Sequence, residues 1–316
     1  MINLYTCTLK FPTSSFTLQA KEISEGMKNL GIENELLDIY QSGLMKGDNY
    51  FHPFHYRQQW DFENATLFGV ADTDSFNQEY LQKLRETPYK NFVVSSEYAK
   101  GIFGLKNTKV VGNVIPYFAE TYSKEIKKKV NDVPVFYINA SHSWHRRGTD
   151  IAIKALDEIA KSGYKFRAIL RVWNPADIDV ERKWLKVVSG FLTEKEHYDY
   201  IAKSDYFLHP VRGGNFEISI LEAIIFGSTP IITDAPPFNE VPINRKDVYY
   251  ISSVHTVTGW QNLWHTGQMW EVDVNNTVNV IERALSKGTI KVDPEPYYKK
   301  YGRETIAGQL AEIISS

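Results

Sequence analysis

The stretch Gly213-Gly214-Asn215-Phe216-Glu217-Ile218-Ser219-Ile220-Leu221-Glu222-Ala223-Ile224-Ile225-Phe226-Gly227-Ser228-Thr229-Pro230-Ile231-Ile232 decides the fold. It reads as a glycine turn, a short helix, a glycine stop and a strand. The residues before it, Ser204-Asp205-Tyr206-Phe207-Leu208-His209-Pro210, read as a buried strand closed by a proline. A strand, a Gly-Gly loop and a helix N-terminus together form an anion site. The loop lets backbone N–H groups approach a ligand, and the helix dipole favours negative charge there. Glu222 then stands where it can grip a hydroxyl attached to that anion, and a sugar or ribose hydroxyl beside a phosphate fits. The same letters, Ser219-x-x-Glu222, also spell a capping box, in which the glutamate serves its own helix.

Working outward, apolar runs and helical patterns alternate along the chain, which indicates parallel α/β structure. Ile2–Thr8 reads as a first strand and Phe16–Leu30 as a helix stopped by Gly31. Glu33–Ile39, Thr66–Ala71, Asn91–Ser96 and Lys109–Ile115 read as further strands. Residues 41–63 show no clear period. Near residue 120 a charged stretch, Ser123–Lys129, meets the breaker cluster Asn131–Pro134, and a domain boundary is expected there. The lysine run reads as a solvated linker face. A second alternating series follows, with strands at Val135–Ala140, Phe166–Val172, Leu185–Ser189, Tyr206–His209 and Thr229–Thr233. Asp150–Ser162 and Glu194–Ala202 read as helices between them, and Thr305–Ile314 as a last amphipathic helix. The expected organisation is residues 1–120 as a short acceptor-side domain, 121–298 as a nucleotide-sugar-binding domain and 299–316 as a closing helix.

Composition narrows the function classes. The chain has 316 residues, 23% charged and 43% apolar, with a formal net charge of −2. A nucleic-acid protein is not expected without a basic excess. The single cysteine, Cys7, excludes an intrachain disulfide and a cysteine-rich metal site. No apolar run reaches membrane-spanning length. Met1-Ile2-Asn3-Leu4-Tyr5 lacks the features of a secretion signal, so a cytoplasmic protein is expected.

Pro210, Phe216, Glu222, Ala223, Gly227, Pro230 and Ile231-Ile232 resemble the signature of glycosyltransferase family 4, whose members are retaining enzymes of the GT-B fold. Three positions depart from it. The first of the family's two glutamates is Gly214 here, and the two glycines of its G-F-G are Asn215 and Glu217. Further segments match in order. Val93–Tyr98 resembles a strand–Ser–Glu element, and Val114–Phe118 the stretch that ends the first domain. Ser141-His142 to Arg147-Gly148 resembles the phosphate-binding loop. Val188–Thr193 resembles the loop that holds the nucleotide base, through Gly190, Phe191 and Leu192. The resemblance covers about residues 90–316. It implies an α/β GT-B protein with two Rossmann-like, doubly wound domains facing across a cleft. It also implies transfer of a sugar from a nucleotide diphosphate sugar to an acceptor that the sequence does not name, with no further cofactor and no metal.

The resemblance further implies roles for single residues. Arg147 takes the family's lysine position, where a fixed cation stabilises the leaving diphosphate, and Arg146 lies beside it. The family's preceding arginine is His142. Glu222 would accept ribose hydroxyls. Gly213, Gly214, Asn215, Phe216 and Ser219 would line the donor loop. Glu217 either replaces the lost acidic group or is a solvated loop residue. Thr73-Asp74 lies where the family often has His-Asp at the acceptor side. The same Asp72-Thr73-Asp74 triplet is a metal motif of the other transferase fold, GT-A, although Asp177-Ile178-Asp179 shows that such triplets arise by chance. A metal-dependent GT-A transferase and a non-catalytic sugar- or nucleotide-binding protein are thus the alternatives. His52, His55 and His197 read as ordinary surface or satisfied core residues. Trp260, Trp264 and Trp270 read as packing residues with stacking on a sugar ring as the other option.

Overall fold

The computed structural model describes residues 1–6, 9, 15–40, 45–53, 62–69, 78–128, 130–141, 145–173, 181–257 and 268–316. They form two compact units. One is built from the described residues of Met1–Tyr117 with Glu295–Ser316, the other from Phe118 onward to Pro294.

In the first unit the chain runs β1 (Ile2–Thr6), α1 (Ser15–Asn29), β2 (Asn34–Asp38), β3 (Asp48–Phe51), β4 (Ala65–Phe68), α2 (Gln78–Glu86), β5 (Asn91–Val94), α3 (Glu97–Phe103) and β6 (Thr108–Val110). Its six strands are parallel in the order β2-β1-β3-β4-β5-β6. Strand β3 lies inside the stretch that has no period in the sequence. Only Asn49, Tyr50 and Phe51 are buried there, and three residues are too few to show an alternation. His52 follows it as a satisfied core residue, its Nδ1 2.9 Å from the Tyr50 hydroxyl.

Helix α4 (Tyr117–Glu125) leads into the second unit. It takes up part of the stretch read as a linker. Lys124 pairs with Glu120 one turn back at 2.7 Å, and the Lys128 ammonium donates to the Gly227 carbonyl. Then come β7 (Val135–Ser141), α5 (Thr149–Lys161), β8 (Arg167–Val172), β9 (Leu185–Ser189), α6 (Glu194–Ala202), β10 (Tyr206–His209), α7 (Ile218–Ile225), β11 (Thr229–Asp234), β12 (Tyr249–Val257), β13 (Gln268–Val272) and α8 (Val274–Lys287). The sheet order is β13-β12-β11-β10-β7-β8-β9, parallel except for the antiparallel β12–β13 edge. Strand β10 is buried along its whole length and β11 over all but its last residue, as expected of central strands in a parallel sheet covered on both faces. Phe136 of β7 stacks on Tyr206 of β10 at 5.1 Å and meets Phe166 edge-on at 5.7 Å.

The chain closes on the first unit with α9 (Glu295–Tyr301) and α10 (Arg303–Ser315). Helix α10 lies tightly on α1. A Cβ added at Gly26 would come within 2.7 Å of the Ala307 Cβ, and Arg303 Nε donates to Glu22 at 2.6 Å.

Candidate active site

In an open parallel sheet, ligands bind outside the carboxyl ends of the strands where the strand order reverses. In the second unit that point lies between β7 and β10. The chain passes from β7 to β8 and β9 on one side and resumes at β10, β11 and β12 on the other. Two loops leave the sheet here, one after β7 and one after β10.

The described part of the first loop is the turn His145–Gly148, closed by the Gly148 N–H donating to the His145 carbonyl at 2.9 Å. Gly148 has φ 66° and stands at the N-cap of α5. A Cβ there would fall onto the Pro210 carbonyl of the second loop. The N–H groups of Arg212 and Gly213 then both donate to the Arg146 carbonyl, at 2.9 and 3.3 Å.

Arg212, only 4% exposed, completes the seam. Its Nη1 and Nη2 donate to the two oxygens of Asp150 at 2.6 and 2.9 Å. Nη1 also donates to the His145 carbonyl at 2.8 Å, and Glu271 lies 3.4 Å away. Such a planar fork on a carboxylate is a strong, directional contact. Burial alone would raise the Asp150 carboxyl, but Arg212 more than offsets this and lowers it. Sequence reading missed Arg212, whose partners come from segments some sixty residues away on either side.

The seam presents Arg147 to Glu217, and the two form an ion pair. Glu217 is the N-cap residue of α7, but its side chain makes no cap bond. It is buried, so the solvated-loop reading does not hold. Burial would raise its carboxyl. Arg147 more than offsets this and pulls it down to about 2, so it is ionised at neutral pH. His209 ends β10 and is 2% exposed. Its Nε2 stands 3.7 Å from Glu217 Oε2, beyond hydrogen-bond distance, and is unpaired among the described residues.

Gly214 stands where the resemblance places the first glutamate. It has φ 152°, and a Cβ there would meet the Glu217 carboxylate. The acidic group of this loop is thus carried three residues later, in the space a side chain at 214 would enter. Gly213 and Phe216 are buried in the same loop, and Asn215 and Ser219 are half-buried.

Helix α7 begins at Ile218, so Ser219 is not its cap and the capping box does not form. Glu222 instead lies buried in the helix, with Oε1 accepting from the Tyr198 hydroxyl at 3.2 Å and Oε2 3.4 Å from His197 Nε2. Of the two options the sequence left for His197, surface or satisfied core, its partly buried place beside Glu222 and Tyr137 fits the second. Tyr198 is itself fixed by stacking on Phe226 at 5.0 Å.

Gly190, with φ 87°, turns the chain out of β9. Phe191 beyond it is 68% exposed and meets Trp173 edge-on at 4.5 Å. Trp173 is the residue after β8 and is 48% exposed. The Gly190 N–H donates to the Trp173 carbonyl at 3.3 Å. Two large aromatic rings left in solvent at the carboxyl edge of a sheet form a surface for a flat ligand. Sequence reading found Phe191 and not Trp173. Leu192 follows, half-buried. Trp270 is a packing residue, edge-on to His255 at 4.9 Å.

Asp72, Asp74, Asp177, Asp179, His55, His142, Trp260, Trp264 and Cys7 lie outside the described residues. Among the described residues no three His, Cys, Asp or Glu side chains gather as metal ligands, and no helix is long and apolar enough to cross a membrane.

No family model matches the chain. It is 28% identical to "Putative glycosyltransferase 45" of Sulfolobus islandicus filamentous virus, over 96% of this chain and 91% of the relative. Among solved structures it resembles a glycosyltransferase from Rickettsia africae, with TM-score 0.65 and 11% identity over 99% of this chain and 97% of the other. It also resembles Anabaena HepE in complex with UDP-glucose, with TM-score 0.63 and 14% identity over 100% and 99%. The fold is GT-B, with two Rossmann-like units, as the sequence resemblance implied.

Proposed function

We propose that this protein transfers a sugar from a nucleotide diphosphate sugar, and that its second unit holds the donor. The observation that carries this reading is the pairing of Arg147 with Glu217 at the strand-order reversal between β7 and β10. The viral relative's name and the UDP-glucose complex of HepE support it.

In the reaction the bond between the anomeric carbon and the diphosphate oxygen breaks, and that oxygen takes the electron pair. An acceptor hydroxyl forms the new bond, and its proton passes to the leaving diphosphate oxygen. Charge therefore grows on the leaving diphosphate. Arg147 and the N-terminus of α7 would receive it, with Arg146 adjacent. Glu217 is the carboxylate nearest to them and faces the donor sugar. Glu222 takes the ribose hydroxyls, and Phe191 with Trp173 takes the base. Retention of configuration follows from the resemblance and is part of the proposal. Screening UDP-, GDP- and ADP-sugars for hydrolysis and transfer tests the whole reading. Binding without turnover would favour the sugar- or nucleotide-binding alternative.

Two expected results belong to this reading. Activity persists in excess chelator, because arginine and backbone N–H groups neutralise the leaving group. Complete loss restored by Mn²⁺, and abolished by Asp74→Asn, would favour the GT-A alternative. Glu222→Gln weakens UDP binding about tenfold, the worth of one hydrogen bond to a charged acceptor. Tyr198 can still donate to the amide oxygen, so the melting temperature should hold. Calorimetry with UDP and with its 2′,3′-dideoxy analogue decides the point. Equal losses for both ligands would remove the ribose role.

A further inference from the structure

His209 has no part in the chemistry above, yet it is the buried neighbour of the site's main ion pair. Its Nε2 is unpaired among the described residues and 3.7 Å from Glu217 Oε2. Its ring stacks on Phe207 at 5.1 Å, which fixes the plane of the imidazole. The charged groups that act on it are Glu217 and Arg147. In the donor-free protein Arg147 neutralises Glu217, so the site has no use for a second cation, and a charged imidazole there would be desolvated and repelled.

We propose that His209 is a proton-holding positioning residue, which takes up one proton from solvent on Nε2 when the donor diphosphate draws on Arg147. This rests on the donor-site reading above. A nucleotide sugar brings two negative charges to Arg147. The guanidinium then serves the diphosphate, and Glu217 would remain a buried carboxylate with its cation shared or lost. That is strongly unfavourable, because a buried charge stripped of its partner is left desolvated and uncompensated. A proton on His209 supplies the missing cation once the 3.7 Å separation closes by about 0.9 Å to a charge-assisted hydrogen bond. Glu217 is thereby kept ionised and in place. Burial, and after it Arg147, lower His209 in the free protein, while Glu217 pulls the other way. Donor binding weakens the Arg147 effect and leaves that of Glu217, so the group rises.

The test is isothermal calorimetry with UDP-glucose at pH 7 in buffers of different ionisation enthalpy. Each phosphate of this probe carries one ester and shares the anhydride, so neither has a second ionisation and the ligand does not titrate near neutrality. The expected uptake is about one proton per donor bound, with affinity falling about tenfold per pH unit above neutrality. His209→Gln and Glu217→Gln should each reduce the uptake to near zero. Uptake that persists in His209→Gln would place the proton on Glu217 or elsewhere and overturn the proposal. Should that variant fail to fold, imidazole ¹⁵N spectra of the unaltered protein give the same answer. A His209 ring that stays neutral on saturation with donor refutes it. If neither UDP-glucose nor any other nucleotide sugar binds, the donor-site reading itself fails. Tight binding with no proton uptake rejects the His209 role alone.

Discussion

Arg147→Ala lowers kcat by on the order of 10²–10³, the typical worth of one fixed donor aimed at developing charge. The donor Kd should change far less, because the ground-state diphosphate keeps the N-terminus of α7. A group that acts mainly in the transition state lowers kcat and kcat/KM together. The substitution has a side effect that must be separated from this. It leaves Glu217 buried without its ion-pair partner, which as a rule costs on the order of 3–5 kcal/mol. The double variant Arg147→Ala/Glu217→Gln removes that charge. It should recover most of the lost melting temperature and none of the lost kcat. Arg147→Lys keeps a cation but loses the planar fork, so it should fall between the two. An unchanged kcat with only a raised KM in Arg147→Ala would mean that Arg147 gives uniform binding, and the proposed role would be wrong.

The parts of this site legible in the sequence are those that local rules encode. The stretch from Gly213 to Ile232 carries its own punctuation, because Gly213 and Gly214 open the turn, Gly227 ends the helix and the apolar run from Pro230 is a buried strand. Arg147 was found through the family resemblance, which sets it at the family's lysine position before Gly148. Parts that depend on distant segments were not legible. Arg212 joins Asp150 to Glu271, and nothing near it in sequence names either partner. Trp173 is informative only through its exposure beside Phe191. The pair of strands β12 and β13 and helix α8 were not read at all, although α8 has a plain Asp273 cap and buries Thr277, Val280, Ile281 and Ala284 on one side. The capping box misled in a specific way. Ser219 and Glu222 have the right spacing, but the helix begins one residue earlier than that motif needs, at Ile218 after Glu217. Spacing alone cannot say which residue leaves helical geometry, and here the true cap spends its carboxylate on Arg147.

Gly148→Ala should damage the protein more than any other alanine substitution in this loop. Two penalties meet at this residue. Its φ of 66° is a left-handed conformation, which costs an L-residue about 1–2 kcal/mol. In addition, the new Cβ falls onto the Pro210 carbonyl, which is backbone and cannot swing aside. Either the loop after β7 or the loop after β10 must move. Either movement breaks the hydrogen bonds from Arg212 and Gly213 to Arg146 and the contact of Arg212 with Asp150. Gly163 supplies the control. It ends helix α5 at φ 86°, with nothing within 4 Å of where its Cβ would stand. Gly163→Ala therefore bears the conformational penalty alone and should cost about 1 kcal/mol with activity intact. Gly148→Ala should cost on the order of 3 kcal/mol or more and lower kcat as strongly as Arg147→Ala, since Arg147 would no longer face Glu217. Paired denaturation curves and steady-state rates measure both. Equal costs for the two glycines would show that the loops have room to part, and the seam between β7 and β10 would lose its claim to position Arg147.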